Sequence, residues 1–317
     1  MHAKEIYTQT MPFCLAKMAL GLATVVISVV ILAILLGLAW LFNAAGVTVV
    51  LILLWIPAMG FVRFLLMHYV GYLVKAGHVA VVAEIMATGR VPDDQVAYGK
   101  NMVAEKFLNA NAYFAIDKLV TGAVKQLQGY LQSAGNALDF LPGMNVLVKL
   151  GQLFVDISLG YIDECCLGYT FQQRGQNSFK SAADAVAIYA QNWKPLLGNS
   201  AKTTALVIGL LAAITLVVFI FLGLLCKVFA LPGYLGFLVA CVVALAVKFA
   251  FIDSYIMVSM MVAFMETVPA TTLKIDIYGK LSEISPSFRE LYEKGKEEVF
   301  GEGGSLGDIG KKVKDFF

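Results

Sequence analysis

Ala3-Lys-Glu-Ile-Tyr-Thr-Gln-Thr-Met-Pro12 returns about 180 residues later as Ala185-Val-Ala-Ile-Tyr-Ala-Gln-Asn-Trp-Lys-Pro195, with Ala, Ile-Tyr, Gln and a following Pro in common. Each copy then reaches a lysine, Lys17 or Lys202, and enters a long apolar run. Each run turns at a corner, Asn43-Ala-Ala-Gly46 or Leu231-Pro-Gly233, returns through a second apolar run and meets one basic residue, Arg63 or Lys248. Both copies close on Tyr-Gly-Lys, at Tyr98 to Lys100 and Tyr278 to Lys280. Landmarks that agree in order along two stretches of chain mark an internal repeat, which constrains architecture before any single motif does. The chain therefore divides into a first hairpin repeat over 1–100, a middle segment over 101–182, a second hairpin repeat over 183–280 and a polar C-terminal tail over 281–317.

Met18 to Phe42 and Thr203 to Cys226 contain no charged side chain, and neither do the return limbs Asn43 to Val62 and Val228 to Val247. At 1.5 Å per residue the two outward stretches are long enough for a hydrocarbon core about 30 Å thick. Spans are predicted at about 18–42, 47–70, 203–227 and 232–256. The composition, 59% apolar and 15% charged with a mean hydropathy of +0.78, lies outside the soluble globular norm. The expected fold is all-α: a polytopic integral membrane protein with two parallel repeats of a transmembrane helical hairpin, long helices extending into the cytoplasm and amphipathic middle helices. Basic residues collect at the N-terminus, after Lys75, in the middle segment and in the tail, while the corners carry only Lys227. The positive-inside rule then places both termini in the cytoplasm, in a plasma or inner membrane. Met1 opens into polar residues and a run too long for a signal peptide, so no cleavage is expected.

The return limbs outlast the membrane. From Val47 the helical pattern continues through Arg63, Tyr69, Tyr72, Lys75, His78 and Glu84 to Gly89-Arg-Val-Pro92, with Pro57 as the expected kink. The second copy runs likewise through Asp253, Tyr255 and Glu266 to Pro269. In the middle segment, Tyr113, Ile116, Val120, Ala123, Leu127, Leu131, Ala134 and Leu138 recur at helical spacing opposite Asp117, Lys118, Thr121, Lys125, Gln128 and Gln132. That pattern predicts an amphipathic helix suited to the bilayer surface or to a helical packing face. Beyond Leu141-Pro-Gly143 a further helix is predicted over Met144 to Phe171, with its crossing of the membrane left open. After Pro286 the charged residues Arg289, Glu290, Glu293, Lys294, Lys296, Glu297 and Glu298 predict a solvated helix, then a flexible Gly301-Glu-Gly-Gly304 joint. Ile309, Val313, Phe316 and Phe317 with Lys311, Lys312 and Lys314 could dock on an anionic leaflet.

Phe107-Leu-Asn-Ala-Asn-Ala-Tyr113, followed by Ser133-Ala-Gly-Asn-Ala-Leu138, resembles a signature of the choline transporter-like family. Val146 to Gly160 and the repeat close Ile252-Asp-Ser-Tyr-Ile-Met to Met265-Glu266 are similar to helices of that family. The departures are that the family's Arg is Ala110 here, the two motifs lie further apart, and the chain is shorter than eukaryotic members. The resemblance implies carriage of choline or another small organic cation and assigns no substrate residue. A quaternary ammonium needs an aromatic cage, to which Tyr69, Tyr72, Trp55, Tyr161 and Asp156 could contribute. In a chain with 12% aromatic residues, packing and interfacial belts account for the same side chains more readily.

Charge inside a membrane marks function by default, because its burial in hydrocarbon is costly. Arg63 and Lys248 lie about twenty residues past the outer corners, where long stems snorkel to headgroups, and His68 and Asp253 follow one turn further in. These four are read as inner-interface charges. Lys149, Asp156, Asp163 and Glu164 share one sector of the Met144 to Phe171 helix and are the candidate pathway-lining residues. His2, His68 and His78 have no metal-ligand spacing, the five cysteines make no CxxC, and no P-loop, dinucleotide fingerprint or nucleophile elbow is present. No enzyme, catalytic residue, metal or cofactor is expected, and a net charge of +2 gives no reason to expect nucleic acid as a partner. Two function classes remain. A transporter or channel-like protein is preferred, on the acidic stripe and the resemblance; the alternative is a non-catalytic oligomeric membrane scaffold whose cytoplasmic and amphipathic helices mediate assembly or membrane shaping. Four spans enclose little room in one subunit, so a homo-oligomer in the lipid bilayer is expected under either reading.

Overall fold

In a computed structural model of the chain, the structure describes residues 2–42, 45–107, 110–135, 161–228 and 244–300. Every regular element among the described residues is helical, with no strand. The corner of the second hairpin, Lys149, Asp156 and the Gly-rich joint lie outside the described residues, as do Leu108 and Asn109 of the family-like motif.

The two copies share a backbone break. Helix α1 (Ala3–Gln9) ends at Thr10, whose φ of −96° and ψ of 18° leave helical geometry before α2 (Met11–Phe42) begins. At the matching place of the second copy, Asn192 interrupts a long helix, Ser178–Val228, with a φ of −113° and ψ of 16°. The side chains repeat the match. Thr10 Oγ1 donates to the Ile6 carbonyl at 3.0 Å and Asn192 Nδ2 donates to the Ile188 carbonyl at 2.9 Å. Pro12 and Pro195 give the cause, since a proline has no N–H to continue the ladder and sits best in the first turn of a new helix.

The return limb of the first copy begins as α3 (Ala45–Leu65) and continues into α4 (Tyr72–Thr88), which ends at Gly89 with a φ of 71°, a left-handed cap that favours glycine. Helix α3 runs through Pro57, and α-geometry gives way further on, in the π-helical turn Leu66–Gly71. The second copy has its own π-helical turn, Lys248–Ile252, at nearly the same place in the repeat. Ala244–Ala270 is the one helix among the described residues that is long and apolar enough by itself to cross a membrane. Shorter apolar stretches are Met11–Thr24, Leu53–Val62 and Ala212–Phe221.

The chain forms two compact units that do not follow the sequence segments. The first comprises Met1–Glu105 and Leu197–Ala263. In it α2 packs along α3 and against α4 and both π-helical turns. Its core includes Ile6, Phe13, Val79, Val82, Ile85, Ile256 and Met261. Between α4 and α5 (Gln95–Phe107) the backbones meet at Gly77 and Gly99, where a Cβ added to Gly99 would lie 2.8 Å from the Gly77 backbone.

The second unit comprises Lys106–Leu196 and Phe264–Phe317. Helix α6 (Ala110–Gly135) buries Ile116, Val120, Ala123 and Leu127, four members of the expected stripe, so the amphipathic face is a helical packing face. The helix expected over Met144 to Phe171 is not continuous: Tyr161 stands outside helical geometry (φ −122°, ψ 4°), and α7 starts at Ile162 and ends at Gln172. With the Ser178–Val228 helix as α8 and Asp253–Thr267 as α9, the unit closes on α10 (Ile275–Ile284) and α11 (Pro286–Phe300), both packed on α6. The expectation of a solvated tail is corrected here. Arg289, Glu290 and Glu293 face outward, but Phe288 and Leu291 are fully buried.

Gly295 of α11 faces the backbone of Lys180, and a Cβ there would meet its N and Cα at 2.8 and 2.9 Å. Neither atom can rotate aside. Gly295→Ala is expected to cost about 1–3 kcal/mol through forced separation of the two helices, read as a lowered melting temperature of the purified protein.

Candidate functional site

The first unit contains a buried polar cluster built from both copies of the repeat. Cys14 and Lys17, three residues apart in the first turns of α2, share one face of that helix, and Thr10 precedes them at the break between α1 and α2. Opposite them α4 presents Ala76, Gly77, Ala80 and Ala83, small buried residues that allow close approach and leave room for the His78 ring. The ring of Phe13 stacks on His78 at a centroid distance of 5.0 Å and 6° between planes. Ser254, in the first turn of α9, completes the cluster from the second copy. Lys17 is 4% exposed, and Thr10, Cys14, His78 and Ser254 are fully buried.

Lys17 Nζ lies 3.2 Å from His78 Nδ1 and 2.9 Å from Ser254 Oγ. An ammonium can only donate, so the imidazole accepts at Nδ1 and carries its proton on Nε2. That Nε2–H faces Thr10 Oγ1 at 2.9 Å, and Thr10 in turn donates to the Ile6 carbonyl. Ser254 likewise accepts from Lys17 and donates to the Ala250 carbonyl at 2.7 Å, within the second π-helical turn. The hydrogen bonds therefore run outward from Lys17 in two directed arms, each ending on a main-chain oxygen.

Burial first, and then the Lys17 charge, hold the His78 imidazole well below the ordinary histidine range. Burial also pushes the Cys14 thiol up, against the opposing pull of Ser254 and Lys17, and Tyr7 beside it is raised to about 12, chiefly by burial. Because the folded state holds His78 neutral, stability from this group is complete above the unfolded histidine pKa of about 6.5 and falls as pH drops below it. Chemically the arrangement buries a cation against two neutral acceptors, an imidazole nitrogen and a hydroxyl.

Lys248 and Asp253, both read as inner-interface charges, are paired: Lys248 Nζ lies 2.7 and 3.0 Å from the two Asp253 oxygens. The π-helical turn widens the helix so that residues five apart come together. Both side chains remain partly exposed, at 35% and 22%. Lys248→Met or Asp253→Asn is therefore expected to change stability by less than about 1 kcal/mol, a shift of no more than a few degrees in a thermal melt. The structure places Arg63 in the last turn of α3 and His68 in the first π-helical turn, and describes neither side chain.

Of the expected pathway stripe, Asp163 and Glu164 are placed, in the first turn of α7 in the second unit. Acidic residues suit that position because of the helix dipole. Glu164 is 2% exposed, and Thr121 Oγ1 of α6 lies 3.4 Å from Asp163 Oδ2. The turn at Tyr161 separates this pair from the helical register that linked it to Asp156 and Lys149 in sequence. Of the aromatic-cage residues, Trp55 and Tyr72 belong to the first unit and Tyr161 to the second, and the Tyr69 side chain and Asp156 lie outside the described residues. Among the described residues, no group of three His, Cys, Asp or Glu side chains converges as a metal site requires.

In the sequence Lys17 is a landmark of the repeat and His78 one residue of a projecting helix. The spacing of Thr10, Cys14 and Lys17 was the available signal. Its partners, 61 and 237 residues away from Lys17, had none. No family model, curated protein or solved structure matches the chain.

Proposed function

We propose that this chain is a polytopic integral membrane protein whose two hairpins run parallel across the bilayer, with both termini and the long return helices on the cytoplasmic side. The observation that carries the reading is the outward surface of the hairpin helices. Leu22, Val26, Val30, Ile34, Leu38 and Leu41 of α2 are 43–70% exposed, and Leu53, Leu54 and Phe61 of α3 and Leu216, Val217, Ile220 and Phe221 of α8 extend the pattern. Apolar surface left in water is unfavourable by about 25 cal/mol per Å², and contiguous faces of this kind belong against lipid or a partner. Membrane-impermeant maleimide labelling in intact cells tests the topology, with the native cysteines removed. Asn43→Cys and Gly233→Cys, at the two corners, are expected to react from outside and Thr88→Cys only after permeabilisation; corners that label from opposite sides would overturn the parallel arrangement.

Within that topology the proposed role is a carrier or channel for a small solute. Its support is the buried Glu164 beside Asp163, because a carboxylate kept in a poor solvent is the kind of group a cation pathway uses. The cargo class, choline or another small organic cation, rests on the resemblance alone. The Lys17 charge repels such a cargo, which places it on the acidic side chains rather than in the Lys17 cluster. Uptake of labelled choline into liposomes is expected to fall at least about tenfold, the 1.4 kcal/mol step of an equilibrium or rate, in Glu164→Gln and Asp163→Asn. Wild-type uptake no greater than that of empty liposomes would end the cargo assignment.

A second reading, an oligomeric membrane scaffold, is favoured by the exposed apolar residues of α2, α3 and α8, which contacts between copies would also cover. Native mass spectrometry of the detergent-purified protein separates the two. A monomer or dimer fits a carrier, and a large ring or sheet fits a scaffold.

A further inference from the structure

We infer that the Thr10, His78, Lys17 and Ser254 chain is a proton-operated latch, in which one proton taken up by His78 releases the first hairpin copy from the second. The inference goes beyond the cargo reading and needs only the fold of the first unit.

The geometry leaves one place for a proton to act. Lys17 donates to both neighbours, Thr10 passes its hydrogen to the Ile6 carbonyl and Ser254 passes its own to the Ala250 carbonyl, so the hydroxyl hydrogens in the two arms are committed. The imidazole alone can take another, at Nδ1. That nitrogen lies 3.2 Å from the ammonium. Once it is protonated, two donors and two positive charges face each other across that distance, in a place from which solvent is excluded. Lys17 can relieve the conflict by withdrawing, and withdrawal breaks its 2.9 Å bond to Ser254, a polar link between the copies that the Cys14 thiol shares.

The groups around the ring fit this assignment. From α2 come Lys17 and Cys14, with Phe13 stacked on the ring face; from α1 comes Tyr7, in edge contact with Tyr255 of α9 at 5.4 Å. From α5 the approach is made by the backbone of Gly99 against Gly77. Lys17 supplies the charge that acts on the imidazole, while Cys14 and Tyr7 are weak acids raised by burial and stay neutral through the acidic range.

The full chain, labelled with ¹⁵N-histidine and held in detergent micelles, tests the latch between pH 8 and 4.5. Three imidazoles are present, and the signal lost in His78→Asn identifies His78. At pH 7.5 its shifts are expected to report the Nε2–H tautomer. Below the pH at which that signal becomes imidazolium, amide exchange corrected for intrinsic rate should rise at least tenfold in peptides covering Thr10 to Lys17 and Asp253 to Met257. His78→Asn keeps an acceptor near the Nδ1 position and cannot titrate, so its exchange should show no such step. An Nδ1–H tautomer or an imidazolium at pH 7.5 overturns the latch, as does flat exchange through the titration or a step that persists in His78→Asn. If that variant does not fold, Ser254→Ala serves: the Asp253 to Met257 peptide should already exchange fast at pH 7.5, and a wild-type step there overturns the latch. None of these readouts uses uptake, so a protein that carries nothing tests the latch equally well.

Discussion

Gly99→Ala is expected to lower the stability of the first unit by about 3 kcal/mol, the upper part of the range for overpacking where backbone must move. The new Cβ would lie 2.8 Å from both Cα and O of Gly77 and 3.0 Å from its carbonyl carbon. No rotamer change relieves contacts with main-chain atoms, so α4 and α5 have to part. The damage would reach the polar cluster, because the Gly77 face of α4 also rests on Phe13 and Phe13 stacks on His78. At roughly 2–4 °C per kcal/mol for a unit of this size, the melting temperature should fall by about 10 °C. The repeat supplies the control. Gly279 occupies the place in the second copy that Gly99 occupies in the first, and nothing lies within 4 Å of its missing Cβ. Gly279→Ala should be neutral or stabilising by up to about 1 kcal/mol, since alanine is the better helix former. Equal shifts in the two variants would contradict the close crossing.

The second large effect is expected from His78→Leu. Lys17 would keep its burial and lose an acceptor worth about 1.5–3 kcal/mol to a charged donor, and Thr10 Oγ1 would lose its partner as well. A total near 3–4 kcal/mol is expected by chemical denaturation. The remedy is counterintuitive. Adding Lys17→Met to His78→Leu removes the stranded charge, and replacing a buried polar group together with its partner is often close to neutral. The double variant should therefore recover at least half of the loss; a double variant as unstable as the sum of the two singles would mean that Lys17 and His78 contribute independently.

Much of the helical framework was readable. The first apolar run ends as α2 does, at Phe42, and α4 ends where Gly89 accepts a left-handed backbone. The stripe of α6 was readable for the same reason: burial of one face leaves its period in the sequence. The π-helical turns were not, since a single i→i+5 step adds one residue to a helix without a composition of its own. For the candidate sites, the acidic stripe assumed one helix across Tyr161, where the chain turns. The Lys17 cluster depends on three elements brought together from distant parts of the chain, and periodicity reports only neighbours on one element.

The distance between Lys17 and Ser254 along the chain has a further meaning for how the protein is made. The two side chains are 237 residues apart and hydrogen bonded. At roughly 5–20 residues per second, a ribosome needs about 10–50 s to travel from one to the other. During that interval the first hairpin has left the ribosome, while the hydroxyl that receives its lysine has not been synthesised. The early half must wait in an open form, its ammonium still hydrated, until the late half arrives to close it. Chains that stop before Ser254 lack the hydroxyl that accepts from Lys17 in the complete fold.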